Sequence, residues 1–171
     1  MLKEKVLNAI NNQINAEIYS AYLYLSMSAY FNDKGLSGFA NWMFVQYQEE
    51  LAHSIKFFNY VNERGSRVVL KAIEQVPSDF ESTLSVWERT LKHEQMVTEM
   101  INGIMDVAIE ENDHATKSFL QWFIDEQVEE EATVTEILDT LKLIDGQANG
   151  IFMLDREMKQ RAFVNDPTAA G

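Results

Sequence analysis

Five side chains stand out by type and spacing: Glu17, Glu50, His53, Glu94 and Glu130. Each lies in a stretch where apolar residues recur at alternating three- and four-residue steps, and each falls on the apolar phase of that repeat. The first such seam reads Ile10, Ile14, Glu17, Ala21, Tyr24 and Ser28, and the second Phe39, Met43, Gln46, Glu50, His53, Phe57 and Tyr60. The third runs Leu84, Trp87, Leu91, Glu94, Thr98, Ile101 and Met105, and the fourth Phe123, Gln127, Glu130, Val134, Ile137 and Leu141. An ionised carboxylate in a core costs several kcal/mol or more unless it is paired, on the order of that much for each. Lys and Arg are missing from all four seams and His53 is their one basic side chain, so a pair of bound cations is the economical compensation. A buried network of protonated Glu with Gln127 and Tyr24 is the alternative.

The ligand chemistry narrows the metal. Carboxylate oxygens with a single imidazole favour a hard or borderline redox ion, iron or manganese, over copper(I) or structural zinc, which call for thiolates or several His. Glu50 and His53 are three residues apart, so on a helix they share a face and reach one ion. Around Glu130 the same spacing leads to Thr133, so a second Glu-x-x-His is missing.

Positioning these groups requires long helices. The periodicity predicts an all-α chain: helices at about 2–32, from an N-cap at Ser37 to Gly65, about 82–111, about 114–144, and a short fifth at 150–161 with Ile151, Phe152 and Leu154 as its apolar face. Each of the four Glu sits near the middle of its helix, so antiparallel packing brings all four to one layer. Between 65 and 81 the helical pattern lapses and Pro77 appears, which reads as an extended connection between helices 2 and 3. Two hairpins joined by one long crossover make a four-helix bundle, with the short fifth helix added. Residues 1–163 read as one domain and 164–171 as a loose tail.

Composition agrees. The chain has 171 residues, 27 acidic against 14 basic, and a formal charge of −13, which disfavours nucleic acid and anionic membranes and favours cations. It has no Cys, which removes iron–sulfur clusters, disulfides and thiolate catalysis and fits a cytoplasmic location. No apolar stretch approaches the roughly 18 residues of a membrane span.

The segments 15–24 (NAEIYSAYLY), 48–53 (QEELAH), His93-Glu94 and 119–131 (FLQWFIDEQVEEE) together resemble the non-heme ferritins of bacteria and archaea, over residues 1 to 160. The resemblance implies a ferritin-like fold and a two-iron ferroxidase centre: Glu17, Glu50 and His53 on one iron, Glu50, Glu94 and Glu130 on the other, with Glu50 bridging. Tyr24 and Gln127 would support it, Tyr24 by donating an electron or a hydrogen bond, and Glu49, Glu126, Glu129 and Glu130 would hold a third iron. It further implies oxidation of iron(II) by dioxygen or hydrogen peroxide, storage of ferric mineral, and a 24-subunit homo-oligomeric shell. Leu51 stands where bacterioferritins place a heme-ligating Met, and Thr133 where they use His, so no heme is expected. The rival functions are a di-iron oxygenase acting on an organic substrate and a non-catalytic helical interaction bundle. His93 and His114 read as surface residues.

Overall fold

The computed structural model describes residues 1–164. It contains α1 (Glu4–Asp33), α2 (Ser37–Glu63), α3 (Thr83–Glu110), α4 (His114–Ile144) and the short α5 (Ala148–Met158), with no strand among the described residues. The 164–171 tail expected from the sequence lies outside them save for Val164.

Local chemistry sets the boundaries. Ser82 opens α3 with a reciprocal capping box to Ser85, and Asp113 opens α4 by accepting from the Thr116 amide at 3.0 Å. Two left-handed residues, Asp145 (φ 48°) and Gly146 (φ 72°), stop α4. At α2 the expectation fails in an informative way: Ser37 is the first helical residue and no side chain of its own segment caps the helix. The cap comes from α5, where the Asp155 carboxylate accepts from the Gly38 and Phe39 amides at 2.8 and 3.0 Å. A Cβ at Gly38 would stand 1.5 Å from the Asp155 carbonyl oxygen, so only glycine permits this docking.

Ties at the ends fix the directions. Lys3 and Lys5 at the start of α1 pair with Glu110 and Glu111 at the end of α3. Arg64, just past α2, holds Asp113 at the start of α4 at 2.9 Å. The starts of α1 and α4 and the ends of α2 and α3 therefore share one end of the bundle, and the chain must return its full length between α2 and α3. It does so along α1: Ser66 accepts from the Leu2 amide, Asn11 accepts from the Val69 amide, and Ser26 donates to the Pro77 carbonyl. Climbing α1 from residue 2 to 26 covers about 36 Å at ~1.5 Å per residue, and eleven extended residues from 66 to 77 cover about the same distance.

Two apolar clusters fill the bundle. One, toward the α5 end, includes Phe31, Phe39, Trp42, Trp87, Val134 and Leu154. The other includes Val6, Ile10, Phe57, Ile101, Leu120 and Phe123. Two seam assignments are corrected: Leu84 is 36% exposed, because α3 turns Val86 and Trp87 inward, and Phe152 on α5 is 60% exposed, because Leu154 and Met158 make the contact with the bundle.

Candidate metal centre

Between the two apolar clusters lies a polar layer. Glu17, Gln46, Glu50, His53, Glu94, Gln127 and Glu130 are all buried there, with Tyr24 fully enclosed beside them. All four long helices contribute, so the layer exists only when both hairpins have packed.

Glu17, Glu50 and His53 each offer a ligand atom within 4.8 Å of the other two. No other group of three His, Cys, Asp or Glu is this tight among the described residues. Two of its members are one turn apart on α2, where His53 Nδ1 stands 3.6 Å from a Glu50 oxygen, and the third crosses from α1. Glu17 accepts from Gln13 at 2.8 Å with one oxygen, while its other oxygen, Oε2, is buried with no hydrogen-bond partner. A buried carboxylate oxygen without a donor must either take up a proton or be served by a cation, and beside Glu50 and His53 this residue set fits a metal ion.

Glu94 and Glu130 complete the layer from α3 and α4. Tyr24 donates its hydroxyl to Glu94, and Gln127 donates to the other Glu94 oxygen at 3.3 Å. One amide nitrogen of Gln46 lies 3.0 Å from Glu50 and 2.9 Å from Glu130, so a single donor ties both carboxylates. Gln46 occupies the inward seam of α2 one turn before Glu50, and that spacing is the sequence signal for its role.

The charges explain why the layer is costly in the metal-free chain. Burial, then the Glu50 charge, hold Glu17 well above the ordinary carboxylate range. Burial with Glu50 and Glu130 does the same to Glu94, and burial with Glu50 carries Glu130 to about 7. Glu50 is the exception. Burial pushes it up, but the hydrogen bond and charge of His53, with further hydrogen bonds to Glu17 and Gln46, together outweigh burial and leave it lowered. Burial likewise disfavours His53 charging, yet contact with Glu50 and the nearby Glu17 and Glu130 raise it to about 10. Protons and an ion pair thus stand where metal charge would, and metal binding must release those protons.

At the rim, Glu49 and Glu126 are half-buried, while Glu129 is exposed. Burial raises both Glu49 and Glu126, with each feeling the other or its neighbours: Glu126 acts on Glu49, and Glu129 on Glu126. His114 is exposed as expected, but His93 is a correction. It is buried between α1 and α3, 2.8 Å from the Ser20 hydroxyl and edge-on to the Tyr24 ring at 6.0 Å. Its neighbour Glu94 faces the layer, and a residue one step away on a helix falls on the flank of the same seam, where α1 covers it.

A bundle of this connectivity with carboxylates at mid-depth defines a class of helical carboxylate proteins. Comparison with known proteins makes it specific. The Ferritin-like domain profile matches residues 7–144. A bacterial non-heme ferritin of Bacteroides fragilis is 45% identical over 161 residues, covering 94% of this chain and all of that protein. One of Campylobacter jejuni is 40% identical over 162 residues, covering 95% and 97%. Among solved structures, an engineered closed form of Archaeoglobus fulgidus ferritin superposes with a TM-score of 0.94 at 50% identity, covering 96% of this chain and all of that one. The chain belongs to the ferritin family, on its non-heme branch. Among the described residues, no helix is long and apolar enough to cross a membrane.

Proposed function

We propose that this chain is an iron-storage ferroxidase: it binds two iron(II) ions in the mid-bundle layer, oxidises them with dioxygen or hydrogen peroxide, and deposits ferric mineral inside a 24-subunit cytoplasmic shell. Residues 1–163 act as its one domain. The observation that carries the reading is the buried Glu17, Glu50 and His53 triplet with an unpartnered Glu17 oxygen, continued across the bundle by Glu94 and Glu130.

Iron is the substrate. Glu17 and His53 hold one ion, Glu94 and Glu130 the other, and Glu50 bridges them. An all-carboxylate set with one imidazole stabilises the harder iron(III) over iron(II), which favours electron loss. Each iron gives up one electron; the pair, with two protons, converts dioxygen to hydrogen peroxide or hydrogen peroxide to two waters. Glu94 is held by Tyr24 and Gln127 before metal arrives, so binding of the second ion exchanges those hydrogen bonds for a metal bond. Tyr24, in contact with Glu94, is the side chain placed to supply a further electron or to hydrogen-bond an oxygen species at the pair. Glu49, Glu126, Glu129 and Glu130 form a third iron site at the rim. The net charge of −13 draws the cation in.

The decisive experiment titrates the metal-free protein with iron(II) without oxygen, then admits air while absorbance at about 300 to 350 nm and particle size are followed. Two or three ferrous ions per chain, fast oxidation, and a large particle that keeps further iron soluble are expected. A monomer by light scattering would end the shell. Stoichiometric oxidation without onward mineral growth would point instead to a di-iron oxygenase.

A further inference from the structure

Beyond α5 the chain turns back toward the metal layer. Asn41 on α2 donates through its amide nitrogen to the carbonyl oxygens of Met158, Lys159 and Arg161, at 3.3, 3.4 and 2.9 Å. This pins the backbone and delivers the Arg161 side chain onto α2. The guanidinium lies 4.0 Å from the Trp42 ring centroid and donates to the Trp42 carbonyl at 3.3 Å. Its other nitrogen, Nη2, donates both to Gln46 Oε1, at 2.9 Å, and to the Glu49 carboxylate.

Each contact bears on the layer. Gln46 is fully buried, and its amide nitrogen faces Glu50 and Glu130. An amide carries one acceptor oxygen and one NH2 group, so the Arg161 donor satisfies the end that the two carboxylates leave over. Glu49 is in contact with Arg161, and it also feels the charge of Glu126 on α4. Arg161 can neutralise only one of these carboxylates. A divalent cation ligated by Glu49 would carry twice the charge of the guanidinium and so relieve the repulsion from Glu126 as well.

We infer that Arg161 is the resident counter-cation of Glu49, a positioning residue that occupies this carboxylate until a further iron(II) ion displaces it. The inference rests on the iron-oxidising reading above and deepens it: the ion that enters at the rim must first exchange with a guanidinium. The Trp42 face and the Trp42 carbonyl give the displaced side chain a place to remain, since a planar cation stacks on an aromatic ring without needing a carboxylate. Holding α5 in place does not require the Arg161 side chain. Asp155 at the start of α2 and Asn41 on the backbone carbonyls do that.

The test is anaerobic iron(II) titration of the assembled, metal-free protein by calorimetry, comparing wild type with Arg161→Ala, Arg161→Gln and Arg161→Lys. Wild type should bind two ions tightly and a third more weakly. Arg161→Ala and Arg161→Gln should tighten the third ion by about fivefold, the upper end expected for a pair whose side chains are 23% and 24% exposed. Arg161→Lys, which keeps the charge, should stay within about twofold of wild type. Melting temperatures within about 4 °C of wild type would show that α5 remains docked. A third ion that is unchanged or weaker in both neutral variants, a Lys variant that behaves like Ala, or no third ion in any protein would each overturn the role of Arg161. Failure of wild type to bind even the first two ions would instead defeat the iron-oxidising reading itself.

Discussion

The mid-bundle layer and the apolar clusters on either side of it are built from the same helices but answer opposite demands. Around Phe57, the rings of Phe119 and Phe123 pack at 5.5 and 4.0 Å between centroids, and Tyr60 stacks on Phe119 at 3.8 Å. Every group there gains by leaving water. One or two turns away, Glu17, Glu94 and Glu130 lose by the same burial, and protons, His53, the Tyr24 hydroxyl and amide donors offset the cost. The difference teaches which part of the molecule stabilises the bundle and which part the bundle sustains for chemistry.

Substitutions should separate the two regions. The largest effect belongs to the apolar cluster: Phe57→Ala should destabilise the protein by about 3 to 5 kcal/mol, equally with and without metal, as read by denaturant unfolding. An effect confined to the metal-loaded form would merge the two regions. Glu50→Ala takes away the buried partner of His53, which then sheds its proton, so the metal-free protein should stay folded at a smaller cost than Phe57→Ala brings, while iron oxidation slows by about 100-fold or more in stopped-flow absorbance. Normal rates in that variant would remove Glu50 from the centre.

A pH series sharpens the contrast further. A group whose folded pKa is raised contributes stability that is complete below its unfolded value and is lost as pH climbs through the folded one. For Glu130 that interval runs from 4.5 to about 7, and for His53 from 6.5 to about 10. Both therefore predict that the metal-free protein melts lower at pH 8 than at pH 6, by on the order of 5 °C. Iron or another divalent ion should flatten the dependence by taking the place of the protons. A metal-free melting point that rises over this range would refute the charge assignment. The smallest effect is expected at the edge of the layer: Tyr24→Phe removes the donor to Glu94 and should change the oxidation rate by about twofold to tenfold, the worth of one hydrogen bond. Rates that do not move at any iron loading would leave Tyr24 as core packing alone.

Much of this was legible from residues alone. Carboxylates on the apolar phase of a helical repeat are conspicuous because their cost is large, and the step from Glu50 to His53 names a shared face without any tertiary knowledge. Boundaries carried by local chemistry, such as the start of the third helix at about 82 and the break between 111 and 114, were equally visible. Those carried by distant partners were not. Ser37 looks like a cap for α2, but Asp155, more than a hundred residues later, does the work. His93 looks like a surface residue until α1 covers it with Ser20 and Tyr19.

The sequence by itself thus determined four long amphipathic helices, one extended return, and the identity and depth of the charged groups, because periodicity and burial cost are properties of single segments. Only the tertiary structure decided which carboxylates touch. It joined Glu17, Glu50 and His53 into one cluster, tied Glu50 to Glu130 through Gln46, and brought Arg161 back across α2 to Glu49. Those choices depend on how α5 docks and how the two hairpins interlock, and hydrogen bonds between residues far apart in the chain leave no periodic trace in it.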